Sequence, residues 1–240
     1  MLAAKKAGFT KWGFSPHGPI CVDSGCNMRR EDVGIYINEV RRLQILLPEM
    51  EILAGMEVDY IDENNGPSSL DVQSYHLDYV IGSVHFIPNQ KGLYYDIDGS
   101  PERFIKTLHD HFEGDLEYVV KTFWNQTQLM IKAGGMDLIG HIDKIALNAC
   151  CINPEIEESP EYLKMANETI EMAIESGIAI EINTKHWKKY GRFFPHPRYW
   201  LHILESGIKM PINTDTHYAE CVEDGLEAAT IEKQNVMSHL

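Results

Sequence analysis

Seven polar residues of this 240-residue chain share one kind of position, the end of a short apolar run, and all carry groups suited to metal or phosphate. His17 follows Lys11-Trp-Gly-Phe-Ser15, Glu57 follows Ile52-Leu-Ala-Gly-Met56, and His85 leaves the β-branched run within Leu77-Asp-Tyr-Val-Ile-Gly-Ser-Val-His-Phe86. His141 follows Met136-Asp-Leu-Ile-Gly140, Asn183 follows Ile178-Ala-Ile-Glu-Ile182, and Asp215 and His217 follow Ile208-Lys-Met-Pro-Ile212. Imidazole nitrogens and carboxylate oxygens bind zinc, manganese and iron, and a cluster drawn from several strand ends can hold more than one ion. Asp215-Thr-His217 is the tightest local signal, because alternate residues of an extended segment point the same way. Taken singly, each position has an ordinary explanation: His85 and His141 as neutral core histidines, Glu57 paired with a base, Asn183 holding a loop, His17 in a turn between Pro16 and Gly18. Six strand ends of the same kind in one chain favour the metal reading.

Helix-length segments separate these runs, and strand alternating with helix is the sequence sign of a parallel sheet. In a parallel α/β barrel every strand ends on one face, so residues from 17 to 217 can share a pocket. The spacing predicts helices over 32–47, 101–111, 115–133, 160–176 and 197–206, with a partial helix at 2–6 stopped by Gly8. Residues 59–69 and the Tyr94-Tyr-Asp-Ile-Asp-Gly99 stretch read as loops, and Cys150-Cys151 as core packing. His109 and His111, together with His76, His186, His196, His202 and His239, follow no strand and read as structural or exposed.

Composition narrows the function classes. With 44% hydrophobic residues the chain can form one large α/β domain, residues 1–240. A formal charge of −15, with no basic stripe to track a phosphate backbone, argues against a nucleic-acid partner. The five cysteines lack CxxC spacing and read as free thiols of a reducing compartment. No apolar run is long enough for a membrane helix, and the first residues do not resemble a secretory signal, so a cytoplasmic protein is expected.

Read in order, Gly13-Phe-Ser-Pro-His-Gly-Pro19, Gly55-Met-Glu-Val-Asp-Tyr60, Ile81-Gly-Ser-Val-His-Phe86, Gly140-His-Ile-Asp143, Glu181-Ile-Asn-Thr184 and Asn213-Thr-Asp-Thr-His217 closely resemble the polymerase-and-histidinol-phosphatase (PHP) superfamily, and within it the monofunctional histidinol-phosphatases. The resemblance runs from about residue 3 to about residue 225. It implies a distorted (β/α)7 barrel, a centre of two or three divalent ions (Zn, Mn or Fe), and hydrolysis of L-histidinol phosphate, a small-molecule phosphate monoester, in histidine biosynthesis. Matched position by position, the implied ligands are His17, Glu57, His85, His141, Asp215 and His217, with Glu57 bridging two ions and Asp215 and His217 also available for proton transfer. Lys188 falls where the family carries a basic residue after Glu-Ile-Asn-Thr; Lys144 and Arg192 compete with it for phosphate, and Asn183 is a further substrate contact. Tyr94, Asp96 and Asp98 are candidates to meet the substrate's imidazole and amino group.

One family motif has no counterpart. The His-x-His of the first strand is absent, since residues 1–16 contain neither histidine nor acid, and Pro16 stands where the family usually has Asp or Glu. The expectation is a barrel whose first strand is missing from this chain and a centre with fewer ions. Two alternatives stay open: another PHP phosphoesterase, nuclease-like or phosphotyrosine-directed, and a non-catalytic relative that binds metal or a partner protein.

Overall fold

Alternation with a period of two sorts the strand residues onto two faces, one packed under helices and one turned inward. The computed structural model describes residues 1–239. Its strands are β1 (Lys11–Phe14), β2 (Glu51–Asp59), β3 (Tyr79–Ser83), β4 (Phe86–Pro88), β5 (Tyr94–Asp96), β6 (Leu138–Ile139), β7 (Ala179–Ile180), β8 (Ile182–Asn183) and β9 (Ile212–Asn213). Five pair in parallel in the order β1-β2-β3-β6-β7. The chain runs straight on through Glu181 into β8, which pairs in parallel with β9. Ile180 N–H donates to Lys209 O at 3.1 Å and Ile182 N–H to Pro211 O at 2.8 Å, so β7 and β8 act as one strand beside the β9 segment. Six parallel segments therefore lie side by side in chain order, and among the described residues β1 and β9 are free edges rather than a closed seven-stranded ring.

The helices are α1 (Leu2–Lys6), α2 (Val33–Leu46), α3 (Leu70–Ser74), α4 (Pro101–His111), α5 (Leu116–Ala133), α6 (Ile145–Cys150), α7 (Pro160–Ser176), α8 (Trp187–Tyr190), α9 (Trp200–Glu205) and α10 (Leu226–Met237). Capping explains the boundaries legible in the sequence. Ser100, Asp115 and Ser159 accept hydrogen bonds from the N–H groups of Arg103, Tyr118 and Tyr162, with Pro101 and Pro160 in the first turns of α4 and α7. Gly177 ends α7 in the left-handed conformation, φ +74°. Trp124 of α5 and Tyr162 of α7 meet edge to face, ring centroids 5.5 Å apart, within the core that seals the outer face of the sheet.

Two expectations are corrected. The stretch at Tyr94 is not loop: it returns as β5 antiparallel to β4, pairing Tyr95 with Ile87, after a turn in which Asn89 Oδ1 accepts from Lys91 and Leu93 N–H. Of Cys150-Cys151, only the first packs on the core: the half-buried Cys150 lies against it with its thiol 3.3 Å from Glu157 Oε2, whereas Cys151 is exposed at the end of α6.

On the inward face, Gly13 and Gly55 make room for the Tyr79 ring, which lies across β1 and β2 beneath the strand ends. A Cβ at Gly13 would come within 2.4 Å of Tyr79 Oη, and one at Gly55 within 2.2 Å of its Cζ. Gly55→Val forces the ring aside; the expected loss is about 1–3 kcal/mol of stability, read as a lower urea midpoint.

Candidate metal centre

Backbone pairing sets the first two candidate ligands side by side. Glu57 N–H donates to Pro16 O at 3.0 Å and Gly18 N–H donates to Glu57 O at 2.7 Å, which carries the β1 register on to His17 opposite Glu57. Asp59 lies two residues further along β2 and shares the inward face with Glu57. His85 lies just past β3 and His141 just past β6, while Glu181 and Asn183 stand together at β8.

Glu57 is the hub of the cluster. Its Oε1 lies 2.9 Å from His141 Nε2 and 3.6 Å from His85 Nε2, and accepts from Ser83 Oγ at 2.7 Å. Its Oε2 lies 3.3 Å from His17 Nδ1. The Nε2 atoms of His85 and His141 are themselves only 3.1 Å apart. Asp59 Oδ1 accepts from the His85 amide at 3.1 Å and faces its Nδ1 at 2.8 Å, which turns Nε2 toward Glu57. Glu181 holds the next strand end: Oε1 accepts from the His141 amide at 2.7 Å and Asn183 Nδ2 at 3.0 Å, and Oε2 from Asn213 Nδ2 at 2.8 Å. Asp215 joins through Asn183 Nδ2, 3.1 Å from Oδ2, with its own backbone in the left-handed region at φ +46°. His217 stands at the rim, its ring centroid 6.0 Å from that of His17.

This packing separates the protonation states of the groups. Burial alone would raise the Glu57 carboxyl, yet His85, His141 and His17 outweigh it and hold Glu57 well below the usual carboxylate range. Burial opposes the charge on His85, but Asp59 and Glu57 carry its pKa up to about 9. Burial and the nearby Lys144 bring His141 down to about 4. Glu181, buried and facing Asp215, is raised to about 7. A buried carboxylate with three imidazoles around it is an N/O donor set that fits zinc, manganese or iron.

The basic candidates separate in space. Lys144 is buried and paired with Asp98 at 2.7 Å, and its ammonium is felt by both His141 and Asp215. Lys188 is 73% exposed and faces Asp224 at 3.5 Å, on the α8 turn rather than in the cluster. Arg192, half-buried, makes a two-pronged pair with Glu157, at 2.6 and 2.7 Å, and reaches Asp143 Oδ2 at 3.2 Å, so it braces the His141-Ile-Asp143 loop from behind. Tyr94 donates to Ile61 O, and Asp96 accepts from Arg103, which leaves Asp98 as the member of that trio facing a cluster cation. Three participants escape a reading confined to strand ends: Asp59, Glu181 and Lys185. Each lies two residues from a residue named there, Glu57 or Asn183, and the strand period would have found them.

The raised His85 pKa predicts a pH dependence for chelator-stripped protein. His85 binds its proton more tightly folded than unfolded, so its contribution is complete below about 6.5 and is lost as pH rises through about 9. Urea midpoints should fall over that window, and His85→Gln should flatten the fall; an unchanged slope in the variant would remove His85 as its source.

A family model described as PHP domain matches residues 1–185. A "Probable histidinol-phosphatase" of Schizosaccharomyces pombe is 28% identical over 231 residues, covering 89% of this chain and 72% of its own length. One of the same name from Deinococcus radiodurans is 25% identical over 219 residues, covering 90% and 77%. A crystal structure of a protein assigned as a histidinol phosphatase in Listeria monocytogenes superposes with TM-score 0.82 at 18% identity, over 95% of this chain and 91% of that one. The histidinol phosphate phosphatase of Lactococcus lactis, solved with zinc, L-histidinol and phosphate, superposes with TM-score 0.60 at 15% identity, over 98% and 85%. A domain match over most of the chain, on a fold shared with these structures, means that this chain belongs to the PHP domain family.

Proposed function

We propose that this chain is a metal-dependent phosphomonoesterase that hydrolyses L-histidinol phosphate to L-histidinol and phosphate in histidine biosynthesis, in the cytoplasm and without a nucleic-acid partner. The observation that carries the reading is the buried Glu57 carboxylate, with His17, His85 and His141 on its two oxygens at the ends of parallel strands. The names of both curated relatives support the substrate, and the Lactococcus lactis structure supports zinc at such a site.

In this reading His17, Glu57, His85 and His141 would hold divalent metal, with Asp215 and His217 as further ligands beside them. A bound ion supplies the positive charge that acidifies an attacking water and stabilises the departing oxygen. The remaining work falls to side chains. Ser83 and Asp59 fix the Glu57 carboxylate and the His85 ring, and Glu181 fixes the amide of His141. Asn183 holds Asp215 in place for ligation or proton transfer, with His217 beside it at the rim. Lys144 is the buried cation best placed for substrate phosphate, and Asp98 beside it is an acid for the substrate's amino group.

Residues 1–240 form a single domain in this reading, and the free edges of β1 and β9 support a barrel completed by one further strand that carries a histidine pair and is not among these residues. Extending the expressed protein upstream in frame to include such a strand should raise activity. Unchanged activity would leave the open sheet as the working form.

Phosphate release should be faster from histidinol phosphate than from phosphotyrosine or a dinucleotide, and the reverse order would sink the substrate assignment. His85→Ala and Asp215→Ala should each lower kcat/KM at least about 100-fold and reduce bound metal by elemental analysis. His109→Ala, on α4, should do neither.

A further inference from the structure

Lys185 occupies a place that the strand-end pattern leaves to metal. Its Nζ lies 3.3 Å from each carboxylate oxygen of Asp215 and 3.4 Å from His217 Nε2. The side chain is not adrift on the surface. Its backbone N–H donates to Asn183 Oδ1 at 3.1 Å, and Asn183 Nδ2 donates to Asp215 Oδ2, so lysine and aspartate are fastened to the same amide. The ammonium thus faces both oxygens and the imidazole nitrogen that the Asp215-Thr-His217 pair would offer a cation. Lys185 is half-buried, and the buried Lys144 nearby is engaged with Asp98 at 2.7 Å and does not fill this position.

An ammonium and a divalent ion cannot share these three atoms. They repel one another, and an ion within bonding distance of Asp215 and His217 would overlap the volume that Nζ occupies. Among the described residues no ammonium pairs with Glu57, whose carboxylate meets the nitrogens of His85 and His141 directly. We infer that Lys185 is a tethered cation standing in for an ion at Asp215 and His217, so that metal loads first at the Glu57-His85-His141 cluster and the ammonium weakens the second position. The consequence is a firmly held first ion and, at Asp215 and His217, a weaker second position where an ion must displace a tethered positive charge. This rests on the metal-dependent reading above.

The test is a zinc titration of chelator-stripped protein, without substrate, on the wild type and on Lys185→Met, Lys185→Gln, Lys185→Arg and Lys164→Met. Two neutral replacements guard against misfolding of either one, checked by circular dichroism. Lys164→Met makes the same charge change on the exposed face of α7. All should bind a first equivalent alike. Both neutral Lys185 variants should bind a second equivalent at least about tenfold more tightly than the wild type, with Lys185→Arg and Lys164→Met matching the wild type. A second-equivalent affinity unchanged or weakened in both neutral variants would overturn the inference while leaving the metal-dependent reading intact. No zinc bound by any of the five proteins would overturn both.

Discussion

A carboxylate taken out of water must be met by positive charge or by donors, and Glu57 is the point at which this fold meets that demand. Its oxygens face His141, His85 and His17 and accept from Ser83, four partners delivered by the ends of three different strands, β1, β3 and β6. Parallel pairing makes this possible, because it ends every strand on the same side and lets short register relations fix the ligands. The opposition of His17 to Glu57 follows from two backbone hydrogen bonds alone. Around the hub, a second ring of acids and amides, Asp59, Glu181, Asn183 and Asn213, sets ring and carboxylate orientations so that the donors converge.

How much of this could be read from residues alone depends on the range of the interaction involved. Strand ends are local: an apolar run, a glycine or serine, then a ligand, and this located His17, Glu57, His85 and His141 at one cluster. Helix limits were equally legible where a cap was present, as at Ser100-Pro101, Ser159-Pro160 and Gly177. The phosphate candidates were not, because their positions depend on how loops fold back. Lys188 turns outward on α8 toward Asp224, whereas Lys185, three residues earlier, turns inward beside Asp215. Arg192 is drawn to Glu157 and Asp143, partners 35 and 49 residues away that no spacing rule connects to it. The antiparallel β4–β5 pair was missed because its turn is closed by the side chain of Asn89, a device with a weak sequence sign.

The sheet and its helices divide the labour unequally. α5 and α7 close the outer face with large apolar side chains, Trp124 and Tyr162 among them, and leave the inward face free to carry polar groups. Below the strand ends the Tyr79 ring is lodged over Gly13 and Gly55, under the cluster. Behind it, Arg192 ties the loop that carries His141 to Glu157, just ahead of α7. A residue that never touches the cluster thereby holds one of its walls.

The links of the cluster span long stretches of chain: 84 residues from Glu57 to His141, 40 from His141 to Glu181, 26 from Asp59 to His85. Such contacts form only after large loops have closed, which places assembly of the cluster late on the folding route. Whatever ion settles there grips segments from nearly every part of the fold at once. It therefore acts as a latch on the global topology, adding its binding energy to the stability of the whole chain rather than to any one element.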